Sequence, residues 1–160
     1  MIFGSFDGTV SFWNLILNRR FWIMKLFDMP VYCVNYAPNG KKVAVASNDG
    51  TIKIIDIISR KVLIHFDKAH TQILDNREHI GIEKFVNSVK FSYSGKQLAS
   101  GSSDYTMKLF DLEKKSELKH FREFKNWVRS VDFSPDDSML VGCDYAGNVL
   151  IYSTTGNYNS

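Results

Sequence analysis

The sequence predicts an all-β fold built from a repeated unit of four short antiparallel strands. Three observations predict it: patterns that recur along the chain, short runs of alternating apolar and polar residues, and turn-forming residues between those runs. No window shows a sustained helical period. The prolines agree with strands, because Pro38 and Pro135 fall in turns and Pro30 at a strand entry, where a missing N–H costs little.

Two short patterns recur and define the unit. The first pattern joins two residues that are six positions apart, and the second of them is the last apolar residue of a strand. These pairs are Asp7 with Trp13, Asp49 with Ile55, Asp104 with Phe110 and, more loosely, Ala146 with Tyr152. The second pattern is a valine that stands 15 residues before the first member of a pair; these valines are Val34, Val89 and Val131. Successive units are 42 residues apart, except between the second and third, where the spacing is 55 and 13 residues are inserted. The chain therefore holds four copies of one unit.

The third copy shows the layout of a unit most clearly. Its four strands are, in order, FVNSVKF, KQLASGS, MKLFDL and ELKHF. The turn SYSG follows the first strand and the turn SDYT follows the second, and both contain residues that favour tight turns. Alternation with β-branched and aromatic residues predicts strands here and not a helix.

The other copies fit this layout with a gap at each end. Met1 aligns with Val43, so the first copy begins inside its second strand, and the last copy ends in the polar tail STTGNYNS where a fourth strand is expected. We predict a single domain over residues 1–160. Its divisions are 1–28 for a unit without its first strand, 29–70 for a full unit, 71–80 for an inserted loop, 81–122 for a full unit and 123–160 for a unit without its fourth strand.

Four strands per unit at a period of about 40 to 45 residues resemble the blades of the WD-repeat β-propeller family. The resemblance covers essentially the whole chain and implies an open arc of four-stranded antiparallel blades, a partial propeller of about three and a half blades. Propellers of this kind close with about four to eight blades. We therefore expect the remaining blades to come from the rest of a longer chain or from another subunit; a truncated sequence is the alternative.

The chain departs from the family pattern in two places. The Trp-Asp dipeptide of the family is replaced by Trp13-Asn14, Ile55-Asp56, Phe110-Asp111 and Tyr152-Ser153. The family's Gly-His, expected seven residues before the strand valine, is replaced by Leu26-Phe27, Gly81-Ile82 and Glu123-Phe124. The buried network of His, Asp, Ser and Trp that the family pattern implies is therefore not expected to form in full. We expect these blades to depend more on apolar packing.

Composition and charge exclude several classes of partner. The net charge is only +3, and the basic residues are spread as short pairs, whereas a nucleic-acid surface is typically a clustered stripe. No apolar run is long enough to span a membrane, and no signal peptide is recognisable. Cys33 and Cys143 match no zinc-binding spacing. We expect an intracellular protein without nucleic acid or membrane as partner, with cytoplasm, cytoskeleton and nucleus not distinguished.

The sequence contains no recognisable catalytic motif. We find no nucleophile elbow, phosphate loop, Cys-x-x-Cys pair or His-Glu-x-x-His helix, so the chain is not predicted to be an enzyme and no cofactor is expected. Titratable residues crowd around the insertion, where His70, Asp75, Arg77 and His79 lie. A metal site would need these side chains to converge, and nothing in the sequence enforces that convergence. We predict a polar, solvated loop and no metal.

Function is therefore expected to reside in surfaces. In the family, the loops at one face of the propeller surround the mouth of a central channel, and that face commonly receives peptides. The resemblance places seven residues on that face: Asn48, Phe85, Ser103, Lys125, Trp127, Arg129 and Tyr145. Aromatic residues and Arg are the residues that anchor interfaces. The alternative for Phe85 and Trp127 is that they pack between blades; Trp127, beside Asn126 and Lys125, is the better candidate for exposure.

Two functions follow from the resemblance. The favoured one is a non-catalytic scaffold that mediates protein–protein interactions within a larger complex. The alternative is a module that recognises a peptide or a modified side chain, with Trp127, Tyr145 and the insertion loop as its pocket. A scaffold should show broad contacts on edges and flanks, whereas a recognition module should show a compact aromatic pocket.

Overall fold

The structure, a computed structural model, describes residues 1–71 and 84–154, which form four antiparallel sheets. The first sheet consists of β1 (Ile2–Gly4), β2 (Thr9–Asn14) and β3 (Arg19–Lys25). The second consists of β4 (Val31–Tyr36), β5 (Lys42–Ser47), β6 (Ile52–Asp56) and β7 (Val62–Phe66). The third consists of β8 (Val86–Phe91), β9 (Gln97–Ser102), β10 (Met107–Asp111) and β11 (Ser116–Phe121). The fourth consists of β12 (Val128–Phe133), β13 (Met139–Asp144) and β14 (Val149–Ser153).

Strands that are consecutive in the chain pair within each sheet, so every sheet is a simple antiparallel meander. The leading strands β4, β8 and β12 contact one another from sheet to sheet, and β1 contacts β4. This arrangement confirms the predicted all-β fold, a partial propeller of antiparallel blades. The residue boundaries given above for the divisions of the domain stay a prediction. Among the described residues, no helix is long and apolar enough to cross a membrane.

The core consists of three apolar layers, one between each pair of neighbouring sheets. In the first layer Phe12 stacks on Trp22 with ring centroids 3.7 Å apart, above Val43 and Ile55. The middle layer includes Ile54, Phe91 and Phe110. The last layer includes Leu109, Phe124 and Leu140. Burying one such side chain contributes about 1.5–3 kcal/mol. Packing of sheet on sheet therefore stabilises the arc.

The position of a sheet in the arc decides its burial pattern. Residues Val43 to Ser47 of β5 are all buried, because the second sheet is covered on both faces. The first sheet is covered on one face only, so Val10 is fully buried while Phe21 and Ile23 are 64% and 48% exposed. The fourth sheet likewise exposes Val149 and Ile151. Both end sheets thus present an apolar face to solvent.

The leading strands share a β-bulge directly after their first residue. In β4, Val31 pairs with Ser47 but Cys33 pairs with Ala46, which leaves Tyr32 without a partner across the sheet. The same shift in β8 and β12 leaves Asn87 and Arg129 unmatched. A bulge inserts one extra residue and redirects its side chain. Three consecutive sheets therefore redirect the side chain at the same position.

Candidate functional site

One end of the sheets carries a row of exposed or half-exposed aromatic side chains. Phe6 meets Tyr32 edge to face with ring centroids 5.7 Å apart, and Tyr32 meets Phe85 at 5.3 Å. Further along, the rings of Trp127 and Tyr145 lie 6.3 Å apart. We call these five residues the aromatic face. They lie at one end of the sheets because the sheets are antiparallel meanders. In such a sheet the start of the leading strand lies beside the turn that joins the second and third strands.

Backbone hydrogen bonds hold the aromatic face in place. The N–H of Tyr145, in the turn between β13 and β14, donates to the carbonyl of Trp127 at 2.9 Å. In the third sheet the N–H of Ser103 donates to the carbonyl of Phe85 at 3.0 Å. In the second sheet the N–H of Asn48 donates to the carbonyl of Pro30 at 2.9 Å. Each turn is thereby tied to the residue before its leading strand. The aromatic side chains project from anchored backbone and not from free loops.

The turns themselves are stabilised by Asp side chains. The N–H groups of Thr9, Thr51 and Thr106 donate to the carboxylates of Asp7, Asp49 and Asp104 at 2.9, 2.8 and 3.0 Å. In the exposed turn, the bonds from the Thr9 hydroxyl and N–H hold the pKa of Asp7 below its usual value. These turns therefore present the neighbouring residues in a defined geometry.

A cleft of about 250 Å³ opens within the aromatic face. The described residues that line it are Tyr32, Phe85, Asn87, Trp127 and Arg129. Asn87 is fixed by a hydrogen bond from its side-chain amide to the carbonyl of Val128 at 3.0 Å. Arg129 is exposed, and its guanidinium makes no hydrogen bond or ion pair with any described residue. We call this feature the aromatic cleft.

The structure brings some of the predicted site residues together and separates others. Phe85, Trp127 and Arg129 meet in the aromatic cleft, and Tyr145 is 70% exposed beside Trp127. Lys125 is exposed, and its backbone N–H donates to the carboxylate of Asp144. Whether these residues bind a partner stays a prediction.

Two other predicted positions do not contribute to the cleft. Ser103 was expected at the surface, and this is wrong, because it is fully buried and its hydroxyl donates to the carbonyl of Phe85 at 3.2 Å. Asn48 is half-buried, and its backbone is tied to Pro30. The predicted loop residues Asp75, Arg77 and His79 lie outside the described residues.

Two residues of the cleft, Tyr32 and Asn87, are not among the residues predicted from the sequence. A signal for them was present, because they stand at the same position in the second and third units as Arg129 in the fourth. The bulge that redirects their side chains left no separate mark in the pattern of apolar residues.

The expected position of His70 in a solvated loop is also wrong. Its ring is completely buried between the second and third sheets. Nδ1 lies 2.9 Å from the carboxylate of Asp104 and 3.1 Å from the hydroxyl of Thr106, and Nε2 lies 2.6 Å from the hydroxyl of Ser100. A carboxylate only accepts, so Nδ1 carries a proton and donates to Asp104. The insertion therefore follows His70 in the chain and does not contain it.

The equivalent positions of the neighbouring units are apolar. Phe27 is buried, with the Lys53 ammonium 4.4 Å from the centre of its ring, and Phe124 is buried in the last core layer. Even the network around His70 contains Phe110 where the family pattern has Trp. Among the described sheets, the polar network is confined to the third, and apolar packing replaces it elsewhere.

We expect the network to make the fold sensitive to acid. Burial acts to raise the pKa of Asp104, but hydrogen bonds from His70 and Thr106 outweigh it and hold this pKa below its ordinary value of 3.8. A lowered folded-state pKa stabilises the fold above the unfolded-state value, and this stability is lost as the pH falls through the folded-state value. The urea midpoint of the wild type should therefore fall as the pH drops below about 5, and Asp104→Asn should remove part of that fall. Asp7→Asn, at an exposed turn, is the matched control; an equal effect of both variants would contradict the argument.

The described part of the chain shows no group of three His, Cys, Asp or Glu side chains that could hold a metal ion. The candidate site is therefore described by its aromatic and basic side chains. These can anchor a protein or peptide surface through apolar contact and through hydrogen bonds from the guanidinium of Arg129.

Comparison with known proteins agrees with this architecture. The family model described as "WD domain, G-beta repeat" matches residues 70–111 and 115–153, and its first match begins at His70. The model described as "Anaphase-promoting complex subunit 4 WD40 domain" matches residues 13–76. Together these matches cover most of the described strands.

The chain is similar to several curated proteins, two of which are named as WD-repeat proteins. The chain is 32% identical to WD repeat-containing protein 70 of Xenopus laevis, over 86% of this chain and 22% of that protein. It is 30% identical to WD repeat-containing protein VIP3 of Arabidopsis thaliana, over 86% of this chain and 43% of that protein. It is 26% identical to DDB1- and CUL4-associated factor 10 of Homo sapiens, over 78% of this chain and 20% of that protein. The chain thus spans less than half of each of these relatives. With four antiparallel sheets and two in-phase matches to the repeat, the chain belongs to the WD-repeat β-propeller family.

Proposed function

We propose that this chain is part of a non-catalytic WD-repeat scaffold that binds other proteins through the aromatic face. The observation that carries the proposal is the row of exposed rings at one end of the sheets, held by backbone hydrogen bonds. A few residues supply most of the binding energy at protein interfaces, and Trp and Tyr are enriched among them and lose little conformational entropy. Such a row on anchored backbone suits the docking of a protein surface.

Two further observations support a role within a complex. One similar protein is, by its name, a factor associated with DDB1 and CUL4, so association with other proteins occurs among the relatives. The end sheets expose apolar faces that include Phe21 and Ile23 at one end and Val149 and Ile151 at the other. We propose that further blades, from the same polypeptide or from another subunit, cover these faces, as sheets cover one another inside the arc.

The second candidate function is recognition of a peptide or of a modified side chain. The aromatic cleft favours it, because Tyr32, Phe85 and Trp127 line one concave space beside Arg129. A flat scaffold surface would not need such a cleft.

Photo-crosslinking tests the proposed scaffold. A photoreactive phenylalanine at Tyr145 should form discrete protein adducts in cell extract, because Tyr145 is 70% exposed on the aromatic face. The same substitution at Tyr93, which is 51% exposed in a turn at the other end of the sheets, is the matched control. Trp127→Ala should reduce the Tyr145 adducts severalfold. Equal labelling from both positions, or none from Tyr145, would contradict a specific docking face.

A further inference from the structure

We infer that the aromatic cleft binds an anionic group, a carboxylate or a phosphate, on an extended peptide segment, and that Arg129 is the residue that recognises it. The inference rests on the proposed function, because it names the kind of partner that the aromatic face accepts. It depends on three features of the cleft: the bulges that build it, a guanidinium in its wall that no described residue pairs with, and the aromatic rings around it.

The cleft is formed by a repeated backbone feature. Tyr32, Asn87 and Arg129 are the bulged residues of three consecutive leading strands, and all three line the same cleft. Bulges often lie beside functional sites, where they redirect a side chain. Because the unit repeats, each of these sheets places one side chain in the cleft from the same bulged position. The sheets differ at that position only in the type of residue. The chemistry of the cleft is therefore set by a Tyr, an Asn and an Arg.

The charge at this point is positive and unneutralised by the described residues. Two lysines of the described residues have acidic partners: Lys90 lies 3.2 Å from Asp132, and Lys108 lies 2.8 Å from Glu117. Arg129 has none, and the described residues that line the cleft include no acidic side chain. A guanidinium offers a planar fork of donors that matches a carboxylate or a phosphate with two parallel hydrogen bonds. An anionic ligand would supply the missing partner.

The same guanidinium argues against a cationic ligand. Three aromatic rings alone would attract a methylated ammonium group, because their faces carry negative charge density. In this cleft, however, the rings of Tyr32, Phe85 and Trp127 share the space with the positive charge of Arg129. Repulsion between like charges in a partly enclosed site offsets the attraction to the rings. The rings are then left to pack against apolar groups next to the anion.

The size of the cleft suits the side chains of a peptide. Its volume is about 250 Å³. One or two side chains fit such a space while the rest of the peptide crosses the surface. The neighbouring ring of Tyr145 and the exposed Lys125 extend the surface on the side of the fourth sheet.

Peptide binding by the whole chain tests the inference. The probes are five fluorescein-labelled peptide pools with degenerate flanks and a central Glu, phosphoserine, Gln, Lys or trimethyl-lysine, measured by fluorescence anisotropy. We expect the Glu pool or the phosphoserine pool to bind at least about tenfold more tightly than the Gln pool, with the two cationic pools weaker than Gln. The tighter of the two anionic pools identifies the source of the anion. This preference should weaken as salt is raised, because exposed charges are screened.

Variants of Arg129 connect the preference to the cleft. Arg129→Gln should remove the preference for the anionic pools, and Arg129→Lys, which keeps the charge but loses the planar fork, should retain only part of it. Arg19→Gln removes an equal charge from the exposed strand β3 and should leave the preference unchanged. Arg129 is exposed and its guanidinium has no partner among the described residues, so these variants should fold like the wild type, as checked by their urea midpoints.

Three outcomes would overturn the inference: tightest binding of the trimethyl-lysine pool, binding of no pool, or an anionic preference that survives Arg129→Gln. None of them would by itself overturn the proposed scaffold. Crosslinking from Tyr145 requires no anionic group and reports protein docking on the aromatic face directly. A failure of the inferred anion recognition can therefore be distinguished from a failure of the proposed scaffold function.

Discussion

His70→Ala should lower the free energy of unfolding by about 3–5 kcal/mol, because it removes a hydrogen bond to a buried carboxylate and leaves a cavity. The ring of His70 is completely buried and lies within hydrogen-bonding distance of Asp104, Thr106 and Ser100. Without the ring, the carboxylate of Asp104, whose side chain is 2% exposed, loses its buried partner, and a cavity remains between the second and third sheets. Urea denaturation followed by tryptophan fluorescence measures the change.

His65→Ala is the matched control for this prediction. His65 lies in β7, five residues earlier, with its side chain exposed, and its replacement should change the free energy of unfolding by less than about 0.5 kcal/mol. A loss of less than about 1 kcal/mol in His70→Ala would show that the network contributes little. The sheets would then be held together by apolar packing alone.

The network around His70 shows where reasoning from the sequence failed. The Gly-His pair was sought seven residues before Val89, a spacing that assumes that no insertion separates the histidine from its strand. In the structure the insertion falls between His70 and β8, so this local spacing is lost. The partner Asp104 lies 34 residues further along the chain, and only the folded sheets bring the two together. A contact of this range leaves no periodic signal in the sequence.

The strands and turns, by contrast, are specified locally. Alternating residues such as Val10 and Phe12 predict a strand with one buried face, and Asp7 and Thr9 form the turn before it. The aromatic face was partly predictable for the same reason, since Phe85 and Trp127 precede recognisable strands. Its bulges were not, because a bulge changes the pairing of strands and not the order of residues. The composition of the aromatic cleft therefore required the structure.

Gly50→Ala should also destabilise the fold strongly, by at least about 3 kcal/mol, because strain and overlap add at one position. Gly50 lies in the turn between β5 and β6 with φ of +85°, a conformation that alanine rarely adopts. An added Cβ would lie 2.3 Å from the carbonyl oxygen of His70, far inside van der Waals contact. The turn also accepts a hydrogen bond from the N–H of His70 at 3.0 Å, so relieving the overlap would displace the backbone that carries the buried ring.

Gly147→Ala separates the two contributions. Gly147 occupies the corresponding turn of the fourth sheet with φ of +86°, but an added Cβ there would meet no atom within 4 Å. Its replacement should therefore cost only the conformational strain, about 1 kcal/mol. The difference between the two variants measures the close approach of the β5–β6 turn to His70, and it should be at least about 2 kcal/mol. Equal losses would mean that the second sheet shifts at little cost, and the His70 network could not then depend on a rigid neighbouring turn.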